Sequence, residues 1–508
     1  MRSTRIRIPV LLALTAALSF PTAVCAEIFR ASSSAEAQRA IDRAKPGDEI
    51  ALRDGIHTDF QVVLRGKGTD GNPIVLRAAT PGKAILTGKV SIRIQGEGLV
   101  VRDMVFDQAW GGTAVLFDRA TRCLLTDCAF IECGDPRSTA RHIVSFRNHS
   151  HHNVVERCLM QGNLSMGVGV SISKNNFSNT HNRIAWNYFK DIKRRSGNGQ
   201  EAVQLGQSTP ADHTAQHALV EHNLFERANG DAEIISNKSS YNILRYNTVR
   251  DCSAMLVLRR GYHTRVEGNY FFGGSGGIRA YGGFHQILNN YIEGGSTGIY
   301  IPSGGVWNTG ALGYPPFTCG VVAYNTIVNC RKAGIHVGEP NTHPMTTIRL
   351  PLIENDFIGN LVVGREGELI RHDGSINSTW RGNLVYATGA AKPGYSSPGI
   401  QIADPKLEQR DGIWRLPTTG SPAIDPPSVN YNNVNAPPPG SATDIDGQPR
   451  DGKPDTGCDE AAAGPVRYPP LQPKDVGPAW MAGDPARLGR IPAPKPIPRI
   501  KKARKAGK

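Results

Sequence analysis

A short pattern of hydrophobic, polar, polar, Asn, hydrophobic, hydrophobic residues returns along this chain. It appears as IAWNYF (Asn187), VEHNLF (Asn223), LRYNTV (Asn247), VEGNYF (Asn269), ILNNYI (Asn290), VAYNTI (Asn325) and WRGNLV (Asn383), and no other feature constrains the fold as much. The clean intervals are 24, 22 and 21 residues. Earlier copies, VVRDMVF at Met104, LLTDCAF at Cys128 and VVERCLM at Cys158, keep the pattern and replace the asparagine. The period is shorter than the roughly 33 residues or more of helical repeats, and the runs between Gly, Asn and Asp are short and β-rich. The expected fold is therefore all-β: a single-stranded parallel β-helix whose coils stack roughly 4.8 Å apart. Asparagines in register would hydrogen-bond along the axis and satisfy buried backbone at the turns, which is a structural duty.

The ends of the chain differ from its body. Residues 1–26 carry Arg2, Arg5 and Arg7, an apolar run from Val10 to Leu18 and a small-residue ending Val24-Cys25-Ala26, the pattern of a secretory signal peptide. Cys25 offers a lipoprotein alternative, which Val24 before it fits poorly. The apolar run is too short to cross a bilayer, so a secreted or periplasmic monomer without a transmembrane segment is expected. A helix over Ala35–Ala44, ended by Pro46-Gly47, is expected to cap the open N-terminal edge. The formal charge of +14 is concentrated outside the body: residues 461–508 hold 11 Lys or Arg against two Asp, and residues 27–460 are close to neutral. The basic balance thus gives no reason to expect nucleic acid. The expected division is a signal peptide at 1–26, a β-helix at 27–400, an end segment at 401–460 folding over the last coil, and a Pro-rich disordered tail at 461–508.

The chemistry concentrates in Asn229–Arg260, NGDAEIISNKSSYNILRYNTVRDCSAMLVLRR. Asp231 and Glu233 are two apart, so in a strand they share one face while Ala232 and Ile234 turn to the core. Lys238 follows after a short turn, Arg259 comes 21 residues later and Arg279 a further 20, about one coil each, so the three cations should line one groove. Two stretched intervals mark loops. The first carries Lys193, Arg194, Arg195, Asn198 and Glu201; the second carries Trp307, Tyr314 and Phe317. Cations with aromatics suit an acidic sugar polymer, and a loop packing on itself would explain the aromatics equally well. The eight cysteines after the signal lack CxxC spacing and read as buried thiols; His142, His149, His151 and His152 read as surface or turn histidines rather than metal ligands.

NGQE at Asn198–Glu201, DAEIISNKS at Asp231–Ser239, LVLRRG at Leu256–Gly261 and GGIRAYGGFHQILNNY at Gly276–Tyr291 together resemble the polysaccharide lyase family that contains chondroitinase B and related alginate lyases. The likeness runs through most of residues 27–400. It implies a right-handed parallel β-helix that cleaves an anionic, uronate-containing polysaccharide by β-elimination, with Lys238 as general base and Arg259 as acid. It also implies a Ca2+ ion held by Asn198, Asp231 and Glu233 to neutralise the substrate carboxylate. The residues expected to touch substrate are Glu201, Arg260, Arg279, Tyr281, His285, Tyr300 and Trp307.

Independent chemistry supports that reading. A uronate C5 proton is removable only when a cation offsets the adjacent carboxylate, and oxygen-ligated calcium or arginine can do so. Arginine hardly deprotonates, so Arg259 reads mainly as a stabiliser, with water or tyrosine supplying the proton. Two residues depart from the family pattern: Asp231 stands where Glu is familiar and Arg260 where His is usual, and both put calcium dependence in question. Alginate is the expected substrate, with dermatan sulfate as alternative. A hydrolase would need one protonated carboxylic acid, which the adjacent cations oppose. A mannuronan C5-epimerase would need an Asp-Pro-His-Asp motif that the chain lacks, and a non-catalytic binder would leave Lys238 without a purpose.

Overall fold

In a computed structural model the described residues are 26–135, 139, 141–170, 179–195, 198–207, 214–340, 343–426, 442–450, 453–461 and 464–481. Among them, three parallel sheets of 14, 13 and 14 strands run the length of the molecule, each strand pairing with its counterpart one coil away. This is the expected parallel β-helix. The 13-stranded sheet will be called the site sheet; its central strands are Val203–Leu205, Glu233–Asn237, Met255–Leu258, Gly276–Ala280, Thr297–Ile301 and Ala333–Val337. Alternation puts Ile235, Leu256, Ile278, Ile299 and Ile335 in register on the inner side, and all are buried in the main core.

The asparagine ladder holds one corner of every coil from Asn187 onward. Each Nδ2 donates to the next Oδ1 at 2.9–3.0 Å, from Asn187 through Asn223, Asn247, Asn269, Asn290, Asn325 and Asn360 to Asn383. The same amide reaches a strand carbonyl one coil before, as Asn247 Nδ2 does to Val220 O at 3.0 Å. Asn360 is a rung the periodicity reading passed over. The residue before each rung turns the corner in the left-handed region, as at His222 (φ 53°), Tyr246 (φ 53°) and Tyr324 (φ 55°). A second, shorter column of the same design sits at the corner leaving the site sheet, where Asn153, Asn182, Asn242 and Asn355 accept from backbone N–H groups.

The cap is a helix at Ser34–Ile41 with Ser33 as N-cap. Its Gln38 side chain accepts from Val63 N at 2.8 Å and donates to Val63 O at 3.1 Å, standing in for a coil that does not exist. At the other end the sequence reading needs two corrections. The 401–460 segment does not lie over the last coil alone. It folds back along the outside of the helix, where Trp414 N donates to Tyr291 Oη at 3.0 Å and Cys458 N to Thr326 Oγ1 at 2.9 Å. Residues 464–481 are ordered rather than part of a free tail. Leu471, Val476 and Met481 pack on Val105, Ala129, Leu159, Tyr188 and Leu224, and Trp480 Nε1 donates to Asp127 O at 2.8 Å. Their apolar residues pack against outward apolar side chains of the third sheet, which outweighs the local Pro content. The expected signal peptide through residue 25 and the basic end from 482 lie outside the described residues. No helix among the described residues is long and apolar enough to cross a membrane.

All eight cysteines of the described chain are free, and seven are buried. Of the four histidines singled out, His142 is buried rather than at the surface. His149 and His151 meet edge-on at 6.3 Å, and His152 opens an outer stack at a corner: the His152, His181, His217, Tyr241, His263 and Phe284 rings lie 4.7–5.4 Å apart.

Candidate active site

The outer face of the site sheet carries two adjacent columns. Asn237 pairs with Leu258 and Leu258 with Ala280, so the residues that follow, Lys238, Arg259 and Tyr281, stand one above another on successive coils. In the neighbouring column Ser236, Val257, Arg279, Tyr300 and His336 are in register. Arg279 therefore lies beside the Lys238–Arg259 column, not in it. The two arginines converge all the same: Glu233 Oε1 lies 2.9 Å from Arg279 and 3.5 Å from Arg259.

A bulge makes that convergence possible. Glu233 pairs with Met255 and Ile235 with Leu256, so one extra residue sits in the site strand. Ile234 and Ile235 are both buried and Ala232 is exposed, which overturns the simple alternation expected from Asp231 to Ile234. The extra residue swings Glu233 outward under the arginines, where Ser236 Oγ also donates to it.

Lys238 is not a free groove side chain. Its Nζ lies 3.3 Å from Glu201 Oε1, with the two side chains 7% and 1% exposed. Gln204 Nε2 donates to the same carboxylate oxygen at 3.2 Å, and Gln204 Oε1 faces His142 Nε2 at 3.2 Å. Burial, reinforced by the charge of Arg147, pushes His142 down to about 4, so it is neutral at neutral pH and donates to Gln204. Glu201 thus backs the lysine rather than meeting substrate directly. The sequence reading missed Gln204, Ser236 and the part His142 plays, because neither residue type nor spacing marks a polar residue that serves another side chain.

Several expected substrate contacts are placed elsewhere. His285 is fully buried in the second corner column, where its Nδ1 accepts from Thr264 N at 3.0 Å, and burial pushes it down to about 4. It takes the rung that asparagine fills in other coils. Arg260 donates to the carbonyls of Leu312 and Gly313, tying down the second insertion. That insertion folds as a hairpin of Gly304–Trp307 and Leu312–Tyr314, and Thr346–Leu350 from the next coil completes a three-stranded antiparallel sheet with it. Trp307 packs against His343 at 5.8 Å within it, and Phe317 is core. Tyr314 alone reaches the site, 4.7 Å from the Tyr281 ring and 5.5 Å from the Arg259 guanidinium. Tyr281 is buried beside both arginines, and burial raises its hydroxyl pKa, keeping it protonated. Tyr300 donates to Glu339.

The residues expected to hold calcium do not fit that ion well. Both arginines already neutralise Glu233. Asp231 accepts from Gly199 N at 2.8 Å and from Ala232 N at 2.6 Å, and Asn198 is exposed. A hard dication wants surplus anionic oxygen, and here the two arginines already balance the charge of Asp231 and Glu233. A different acidic group, Asp444, Asp446 and Asp459, has ligand atoms within 4.8 Å of one another and could hold a metal ion, far along the chain in the end segment. Arg415 already lies 2.6 Å from Asp446 and 2.7 Å from Asp459.

Comparison with known proteins agrees with this architecture. No curated protein sequence matches the chain. Among solved structures, the alginate lyase AlyGC of polysaccharide lyase family 6 is similar at 29% identity with a TM-score of 0.68, over 76% of this chain and 55% of that one. A variant of AlyGC is similar at 25% identity and 0.72, over 93% of this chain and 60% of that one, so the chain spans little more than half the length of these relatives. The family 6 polysaccharide lyase from Pseudopedobacter saltans is similar at 25% identity and 0.61, over 70% of this chain and 92% of that one. The sequence pattern of the chondroitinase B family matches residues 31–383, well over half of the protein, and the chain belongs to that family of polysaccharide lyases.

Proposed function

We propose that this protein cleaves alginate by β-elimination, with Lys238 as base and Arg259 as the stabiliser of the departing oxygen. The observation that carries the reading is the placing of Lys238 and Arg259 on successive coils, each over a buried carboxylate, Glu201 and Glu233. Lys238, after passing its own proton to the Glu201 carboxylate 3.3 Å away, takes the C5 proton of a uronate as the free amine. The electron pair left at C5 forms the C4–C5 double bond as the C4–oxygen bond breaks. Arg279 meets the uronate carboxylate and offsets the charge that builds on it, a task that needs a preorganised cation more than any particular ion. The protonated Tyr281 hydroxyl, beside both arginines, supplies the proton to the leaving oxygen. No step in this scheme is routed through calcium. The name of the 29% identical relative, an alginate lyase, supports alginate over dermatan sulfate.

Incubation with alginate, polymannuronate, polyguluronate and dermatan sulfate tests the reading. New ultraviolet absorbance from the unsaturated product on an alginate block is the expected result. Absorbance with dermatan sulfate alone would reverse the substrate. Reducing ends without absorbance would mean hydrolysis, altered uronate composition without cleavage epimerisation, and no change a binding protein.

A further inference from the structure

The sign of the charge facing the groove changes along the site sheet. At Lys238, Arg259 and Arg279 the cations lie above their acids: Arg259 and Arg279 are 18% and 23% exposed while Glu233 is 5%. Further along, the order inverts. Tyr300, in register with Arg279, donates to Glu339, and the next rung, His336, faces Asp373 at 2.7 Å. Here the carboxylates are the exposed partners, Glu339 at 36% and Asp373 at 28%, over a His336 at 7%. Arg371, 3.2 Å from Asp373, offsets that charge, whereas Glu339 has no arginine or lysine paired with it among the described residues and faces His336 Nδ1 at 3.9 Å. On the same side the insertion raises a wall, with Tyr314 over Tyr281 and Arg259.

We propose that Glu339, seconded by Asp373, is an electrostatic stop that limits how many uronate units this enzyme holds on the C-terminal side of its cleavage point. The inference rests on the polyuronate reading above. A polymer laid along the coils meets a new strand roughly every 4.8 Å, so each added unit brings its carboxylate nearer to Glu339. Like charges facing each other cost binding energy, and one side of the bond thus holds few units while the other can extend. The result is a bias toward short products cut from one end of the chain.

The test compares wild type, Glu339→Gln and Glu339→Asp on mannuronate hexamers of defined length, with products sized by mass spectrometry. The glutamine keeps an acceptor for Tyr300 and removes the charge. Products longer than two units should rise about fivefold in Glu339→Gln, and the difference should shrink with added salt. Glu339→Asp should restore the wild-type pattern, which a role in packing alone would not produce. Identical product sizes in wild type and Glu339→Gln would overturn the stop while leaving the lyase reading intact. Failure of wild type to cleave any polyuronate or dermatan sulfate would overturn both together.

Discussion

Glu201 Oε1 lies 3.3 Å from Lys238 Nζ, with the glutamate buried and only a small part of the lysine exposed. The proposed base is thus half of a buried ion pair, and deleting it has two consequences rather than one. Lys238→Ala removes the base and strands a buried carboxylate, so it should abolish elimination and also cost about 3 kcal/mol of stability. From the sequence alone the lysine reads as a groove residue whose loss would leave the fold untouched; its burial corrects that. The paired change Lys238→Met with Glu201→Gln removes both charges and should keep a near-native melting temperature with no lyase activity. Ultraviolet assay and thermal denaturation of the two variants separate the effects, and activity in the folded double variant would remove Lys238 from the mechanism.

Arg259 and Arg279 share one oxygen of Glu233, and this yields a prediction about the metal. With the carboxylate already neutralised by two fixed cations, exhaustive chelation should leave most of the activity. Arg259→Ala should lower kcat by about two to three orders of magnitude, as loss of a preorganised charge does. Loss of activity on chelation that calcium restores, and magnesium does not, would return the neutralising role to an ion at Asp231 and Glu233.

What the sequence discloses and what it hides divides along a physical line. The coil architecture is legible because a solenoid repeats its buried hydrogen bonds, so Asn187, Asn223 and Asn247 recur at the coil period. Lys238, Arg259 and Glu233 stand out in the sequence because charged residues there interrupt or directly follow apolar strand residues, Ile234 with Ile235 and Met255–Leu258. The bulge between Glu233 and Ile235 is hidden, since one extra residue in a parallel pair leaves no compositional mark. His285 misleads for a related reason. It lies inside a motif rich in plausible contacts, yet its register puts it on an inner corner. The outer packing of Leu471 and Val476 is hidden by the prolines around them, because burial there depends on which coil the segment meets.

Two of the buried histidines, His142 and His285, give the protein a pH dependence. Burial pushes His142 and His285 from 6.5 to about 4, so both are neutral in the folded chain. The unfolded chain binds more protons below about 6.5, and the stability they contribute is therefore present above that pH. It is lost as the pH falls toward about 4, by about 3 kcal/mol for each histidine. The melting temperature should fall across this window. His285→Asn puts in that rung the side chain that Asn242 and Asn355 use for the same task, and should flatten part of the fall. An unchanged acid response in a folded His285→Asn variant would contradict the assignment.

The ladder itself can be tested at its middle rung. Asn247 Oδ1 accepts from both Asn223 N and Asn223 Nδ2, its Nδ2 donates to Val220 O and Asn269 Oδ1, and the residue is 1% exposed. Asn247→Ala takes the side-chain partner from Asn223 N and from Val220 O where water does not reach, while Asn223 Nδ2 keeps Ile184 O and Asn269 Oδ1 keeps the backbone N–H of residue 247, and each buried orphan costs about 1–3 kcal/mol. Asn247→Asp keeps the acceptor for Asn223 and turns the donating side into a second acceptor facing Val220 O and Asn269 Oδ1, so it should also destabilise. Cys128 and Cys158, at the corresponding corner of earlier coils, show that a rung can be apolar where no asparagine precedes it. The cost is thus of interrupting a running ladder rather than of lacking the residue type. A melting temperature for Asn247→Ala within the error of wild type would show that the ladder is not what holds the corners together.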